Sequence, residues 1–244
     1  MFKNLKLGTK LIAVGLILTI IPLVVIAIVT FSQNRTRKEV TRGEGVKLAN
    51  TDLDHIVEGV YKMIQSQQEL LEKTLLSTLK VARNIVDDDG GISLADSGTE
   101  VDWSAVNQYT KNSTPVTLPQ MLIGGNWLGQ VATANKKVAV VDKAQELQGG
   151  TCTIFQRMNN TGDMLRVATN VLKEDGTRAI GTYIPYTNPN GDLNPVVSTV
   201  LRGQTFKGRA FVVNKWYITA YEPIYNAKKD IIGMLYIGVP QESV

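Results

Sequence analysis

Among 244 residues there is one cysteine, Cys152, and one histidine, His55. A lone cysteine can close no intramolecular disulfide and builds no zinc or c-type haem spacing. A lone histidine leaves no donor cluster for a metal and no set of serine, histidine and acid for nucleophilic catalysis. Neither a G-x-x-x-x-G-K-[ST] loop nor an H-E-x-x-H helix occurs. The acid cluster Asp87, Asp88 and Asp89 lacks the calcium-loop pattern and reads as a solvated helix end. These absences predict a protein that is not an enzyme and has no metal or cofactor. Cys152 lies on a strand-like run and reads as a small buried hydrophobe. His55, near Asp54 and Glu58, reads as a solvated helix position.

Surplus charge is also scarce. The formal net charge is +4, but Lys3, Lys6 and Lys10 precede the first long apolar run and all 22 acids follow it. The remainder is close to neutral, so no basic face for nucleic acid is expected. At 43% hydrophobic and 20% charged residues, the chain has the composition of a folded protein.

Residues 11–31, LIAVGLILTIIPLVVIAIVTF, carry no charge. About 20 such residues span a bilayer core as a helix, and Pro22 is tolerable there. The run exceeds the apolar core of a signal peptide and no A-x-A site follows, so an uncleaved transmembrane anchor is expected. Residues 1–10 are then the cytoplasmic N-terminus and residues 32–240 lie outside the membrane. Arg35, Arg37, Lys38 and Arg42 just beyond the span weaken the charge bias, but long downstream domains translocate largely regardless of it.

From about 34 to 86 apolar residues recur at three-or-four spacing, including Leu53, Ile56, Val60, Met63, Ile64, Leu75, Leu79, Ala82, Ile85 and Val86. That predicts one long helix with a buried stripe, too long for one small domain to cover and therefore suited to pairing with a second copy. Residues 87–115 read as a loop with a short helix near 103–109, and 139–147 as another short helix. The period then falls to two. Strands are predicted over 151–158, 164–172, 177–184, 206–213, 216–224 and 231–239, with a short helix over 196–202. The fold class is α+β: a transmembrane helix continuing into a long helix, then an antiparallel sheet of five or so strands flanked by helices.

The ordered run TIFQ (153–156), DMLRVATNV (163–171), DGTRAIGTYI (175–184), GRAFVVNKWYITAYEPI (208–224) and IIGMLYIGV (231–239) resembles the single-Cache sensor domains of bacterial methyl-accepting chemotaxis receptors, of the Cache 3/Cache 2 fusion type. The resemblance covers roughly residues 35–240. It implies an extracytoplasmic PAS-like sheet that binds a small ligand and signals through membrane helices. Such receptors continue into a second membrane helix, a HAMP linker and a signalling domain. Residues 241–244 would begin that connection, so the chain is either a fragment or signals by another route.

Candidate ligand groups follow from alternation. With Asn214-Lys215 as a two-residue turn, Val213 pairs with Trp216, Phe211 with Ile218 and Arg209 with Ala220. Arg209, Phe211, Trp216 and Ile218 then share one face, and Tyr217 and Tyr221 the other. A guanidinium among aromatic carbons needs an anionic partner, and its fork suits a carboxylate or phosphate. Arg209 and Trp216 are therefore the leading pair for a ligand, set against an equally open reading in which Arg209 pairs with an internal acid or reaches to water while Trp216 and the tyrosines are plain core. Arg166, on a face with Ala168 and Asn170, and Arg178, after a turn and open to solvation, are further candidates. Tyr183 and Trp127 complete the set, the latter because the glycine-rich segment 118–130 could wall a pocket. The expected partners are a small organic anion, the membrane and a second copy of the chain. The competing classes are a membrane-tethered interaction protein with a dimerising helix and no ligand, or the sensor of a histidine kinase or diguanylate cyclase.

Overall fold

A computed structural model describes residues 7–243, with side chains placed for 19–35 and 44–242. The chain divides into two compact units, residues 1–67 and 68–244.

Helix α1 (Leu7–Asp88) runs unbroken, with Pro22 inside it. The described residues of the first unit all belong to this helix, and its apolar side chains Leu53, Ile56, Val60, Met63 and Ile64 are exposed. Among the described residues no helix is long and apolar enough to cross a membrane. Of the expected span 11–31, residues 11–18 lie outside those whose side chains are described.

In the second unit the helix ends at a glycine pair, Gly90 and Gly91, both with positive φ. The amide of Gly91 donates back to the Val86 carbonyl and closes the last turn. A three-stranded sheet follows from β1 (Ile92–Leu94), β4 (Met121–Ile123) and β5 (Asn126–Trp127), in the order β1-β4-β5. The main sheet has eight strands: β2 (Glu100–Asn107), β3 (Ser113–Pro119), β6 (Thr151–Arg157), β7 (Met164–Thr169), β8 (Thr182–Ile184), β9 (Phe206–Val212), β10 (Lys215–Tyr225) and β11 (Ile231–Pro240). Their order is β3-β2-β8-β7-β6-β11-β10-β9, antiparallel except for the β2–β8 pair.

The expected loop and helix over 87–115 is thus corrected to strands. Trp103 and Ala105 are buried while Glu100, Asp102 and Ser104 are exposed, which is the period of a half-buried strand. The expected strand over 177–184 shortens to β8.

One face of the main sheet packs against α1 and α2 (Ala139–Gln148), through Leu75, Leu79, Ala82, Val141 and Ala144 against Ile154, Ala220, Leu235 and Ile237. The other face carries Phe155, Met164, Tyr217, Tyr221, Met234 and Tyr236 under α3 (Pro195–Leu201). Asn194 caps α3 by accepting from the amides of Val196 and Val197, with Pro195 in the first turn. Just past β2, Gln108 Nε2 donates to the Phe211 carbonyl of edge strand β9 at 3.3 Å. Strands from opposite ends of the order are thereby brought together, and the α3 face is the enclosed one.

Candidate ligand site

The β9–β10 hairpin turns one residue earlier than expected. Lys215 pairs with Val212, Trp216 with Phe211 and Ile218 with Arg209. The Asn214 amide bonds the Val212 carbonyl across Val213, whose φ is 60°. That is a three-residue γ-type bend, and a β-branched residue there is strained. Each strand slips by one residue in opposite senses, so the faces survive. Arg209 and Trp216 are on one side, and Tyr217 and Tyr221 on the other.

Arg209 stacks on Trp216, its guanidinium carbon 4.1 Å from the ring centroid. Both line an open cleft of about 630 Å³ with Tyr109, Phe211, Asn188 and Asn194. Trp216 remains 46% exposed, and among the described residues Arg209 forms no ion pair.

The enclosed face is different in character. Arg166 on β7 lies directly opposite Phe155 on β6, and its guanidinium carbon sits 4.8 Å from that ring's centroid. It is completely buried. Nη1 donates to Thr182 Oγ1 on β8, while Nε and Nη2 have no hydrogen-bond partner. Burial lowers its pKa; the groups that pull it back up are Tyr221, Tyr236 and Tyr217, with no carboxylate among them. The Tyr221 ring lies 6.1 Å from Phe155 and 4.8 Å from Tyr236, and its buried hydroxyl is also unpartnered. Three of the five buried side-chain polar atoms without a partner among the described residues belong to Arg166 and Tyr221. Burial raises the pKa of Tyr217, Tyr221 and Tyr236, so all three stay neutral.

Arg178 is neither solvated nor free. It is 4% exposed and holds Asp142 on α2 with Nη1 and Nη2, both at 2.8 Å. It also donates to the carbonyls of Thr133, Ala134, Lys136 and Thr169. This is a saturated structural clamp. Tyr183 accepts from Asn107 Nδ2 at 3.3 Å and packs against the α1-side core. Trp127 sits on β5 in the small sheet, beside a separate recess with Asp89, Ile123 and Val140. The segment 118–130 therefore walls neither the Arg209 cleft nor the Arg166 face. Arg166 does not share a face with Ala168 and Asn170 either. A bulge opposite Ile154 and Phe155 puts Ala168 in the α1-side core, and Asn170 bonds Val141 and Gln145 of α2.

Sequence reasoning did not single out Tyr236, Phe155 and Thr182. Tyr236 and Phe155 lie on alternating runs that were legible, and cross-strand register alone places them beside Arg166. Among the described residues no group of three or more histidine, cysteine or acidic side chains could hold a metal ion.

A large, mostly antiparallel sheet with one face on a long helix and the other under α3 is an α+β architecture consistent with a PAS-like fold. The chain belongs to the Cache 3/Cache 2 fusion domain family, which matches residues 38–244. Searches of curated proteins and of solved structures gave no match. Family membership supports a Cache domain that senses a small molecule outside the cell.

Proposed function

We propose that the chain is the membrane-anchored, extracytoplasmic sensing part of a chemoreceptor-type signal transducer. It binds a small organic ligand on the enclosed face of the sheet and does no chemistry of its own. The observation that carries this is Arg166, a fully buried cation with two unpartnered nitrogens and no acid beside it. Keeping a lone buried charge in a core is costly unless something else supplies the counter-charge. A ligand that comes and goes answers that cost, and its occupancy is then coupled to the packing of β6, β7 and β10.

The anchor rests on the uncharged run at 11–31; its described apolar side chains, Ile20 to Phe31, have no protein covering them. The Arg209–Trp216 cleft is the second reading of the ligand's seat, favoured by its volume and its accessible cation. A thermal-shift screen of the full chain in detergent micelles, against carboxylates, amino acids and purines at millimolar concentration, tests the proposal. A binder should raise the melting temperature. Its effect should vanish with a substitution at Arg166 and persist in Arg209→Ala. The reverse pattern moves the seat to the outer cleft, and no stabilisation by any compound favours a tethered interaction protein.

A further inference from the structure

We propose that the open cleft at the β9 edge is a second ligand site, separate from the enclosed face, and that it takes an aromatic monocarboxylate. Arg209 receives the carboxylate, and the rings of Trp216, Phe211 and Tyr109 receive the aromatic body. This goes beyond the sensing role proposed for the enclosed face and does not depend on it.

The uncommitted polar side chains of the cleft are donors. Arg209 is exposed and lies over the Trp216 ring at 4.1 Å, and among the described residues it makes no hydrogen bond or ion pair. A cation over an indole face is held by the ring's quadrupole, which uses none of its N–H groups. All of them remain available to a carboxylate. Asn194, a buried residue of the lining, fixes the sense of two neighbours. Its Nδ2 donates to the Tyr109 hydroxyl at 3.1 Å and to Asn188 Oδ1 at 2.9 Å, while its Oδ1 accepts the amides of Val196 and Val197. With the Tyr109 oxygen accepting, that hydroxyl keeps its own proton to give; with Asn188 Oδ1 accepting, its Nδ2 is left as a donor. Asn190 spends both amide atoms on Asp192. What remains is a guanidinium, a hydroxyl proton and an amide, with no acid in the lining.

The walls are aromatic. Tyr109 stacks on Phe211 with ring centroids 6.3 Å apart and planes at 24°, and Phe211 meets Trp216 edge to face at 5.7 Å. Tyr109, Phe211, Trp216 and Arg209 form one continuous train, flanked by Pro189 and Pro195. Trp216 is nonetheless nearly half exposed. A ligand ring set against these walls gains offset or edge contacts beyond the area it buries, which an aliphatic chain does not. A volume of about 630 Å³ falls in the usual range for small-molecule pockets and leaves room for a ring as well as its acid group. One cation and no acid match a single negative charge. A second carboxylate would stay unpaired, and an ammonium would be set beside Arg209 with nothing to receive it.

Calorimetric titration of the full chain in detergent micelles with phenylacetate, phenylacetamide and phenylalanine tests the proposal. Phenylacetate is expected to bind. The amide, which lacks the charge, and the amino acid, which adds an ammonium, should bind at least about tenfold more weakly. Arg209→Gln should weaken phenylacetate about ten- to a hundredfold, and because this side chain is exposed and unpaired, the melting temperature of the ligand-free variant should stay where it was. Fluorine NMR of the chain labelled with fluorotryptophan locates the ligand, since the protein has only three tryptophans. The resonance that is missing from Trp216→Leu should move on adding phenylacetate, and those of Trp103 and Trp127 should not. Equal binding of the amide or of phenylalanine overturns the inference. So does phenylacetate binding that Arg209→Gln leaves intact, and so does no binding at all. None of these outcomes touches the sensing role, because a compound whose stabilisation depends on Arg166 would still establish the enclosed seat. Conversely, phenylacetate held through Arg209 in a chain with no ligand for Arg166 leaves this inference standing while the enclosed seat falls.

Discussion

Arg166 and Arg178 are both buried and cannot be told apart by residue type, yet their environments are opposites. Arg178 is saturated by Asp142 and four backbone carbonyls, whereas Arg166 keeps its best edge empty. Truncating Arg178 strands Asp142, whose side chain is only 13% exposed. Arg178→Ala should therefore cost about 3–5 kcal/mol, read as a lowered denaturant midpoint. Ligand affinity, measured where the variant is still folded, should be unchanged. The sequence made both arginines candidates, Arg166 on a strand face and Arg178 just after a turn. It could not rank them, because the partners lie far along the chain: Asp142 is on a helix before β6, and the lack of an acid near Arg166 is a property of all the strands and the helix packed on that face. Arg209 and Trp216 were placed on a common face by alternation, and they do stack. Their exposure depends on the loop at 188–194 and on Tyr109, which no local pattern reports.

Strand β10 presents alternate residues to the two layers, so Tyr221 faces the enclosed site while its neighbour Glu222 faces α1. Glu222 pairs with Arg83 of that helix at 2.6 Å, joining a strand that lines the enclosed face to α1. Burial pushes the Glu222 pKa up, against the pull of Arg83. An acid whose native pKa exceeds its unfolded value of about 4.3 gains a proton on folding. Its contribution to stability is then largest below that unfolded value and declines as pH rises through the native one. Glu222→Gln should accordingly flatten the fall in melting temperature across that window while changing the low-pH value little; an unchanged pH profile would assign the slope to other groups. Element type was legible wherever alternation was long, as in β6, β7, β9, β10 and β11. β2 and β3 were lost because their outward positions are acids, serines and threonines, with Trp103 and Leu118 as the large buried residues, so the run resembled a polar loop. The hairpin register slipped because Asn-Lys is a plausible turn pair, and nothing local announces that Val213 takes φ 60° instead.

At the scale of the whole molecule, α1 changes role along its length. In the second unit its residues Leu75, Leu79, Ala82, Ile85 and Val86 are buried in the sheet's core. In the first unit the same three-and-four spacing continues through Leu53, Ile56, Val60 and Met63, yet these are 57%, 62%, 46% and 57% exposed. A heptad-like apolar seam left open on a helix is the requirement for a two-stranded coil, so the full chain is proposed to form a parallel homodimer through this stretch. Single cysteines placed in turn over positions 50–65, in the full chain held in a membrane, test it. The native Cys152 does not interfere, because it is fully buried and its thiol pKa is pushed up to about 12. Disulfide yield should peak at 53, 56, 60 and 63 and fall between them. Parallel packing requires that each cysteine meets its own copy, so self-crosslinking at both ends of the stretch separates this arrangement from an antiparallel one, in which only central positions would join. Uniformly low yield would mean that the seam is covered by something other than a second copy.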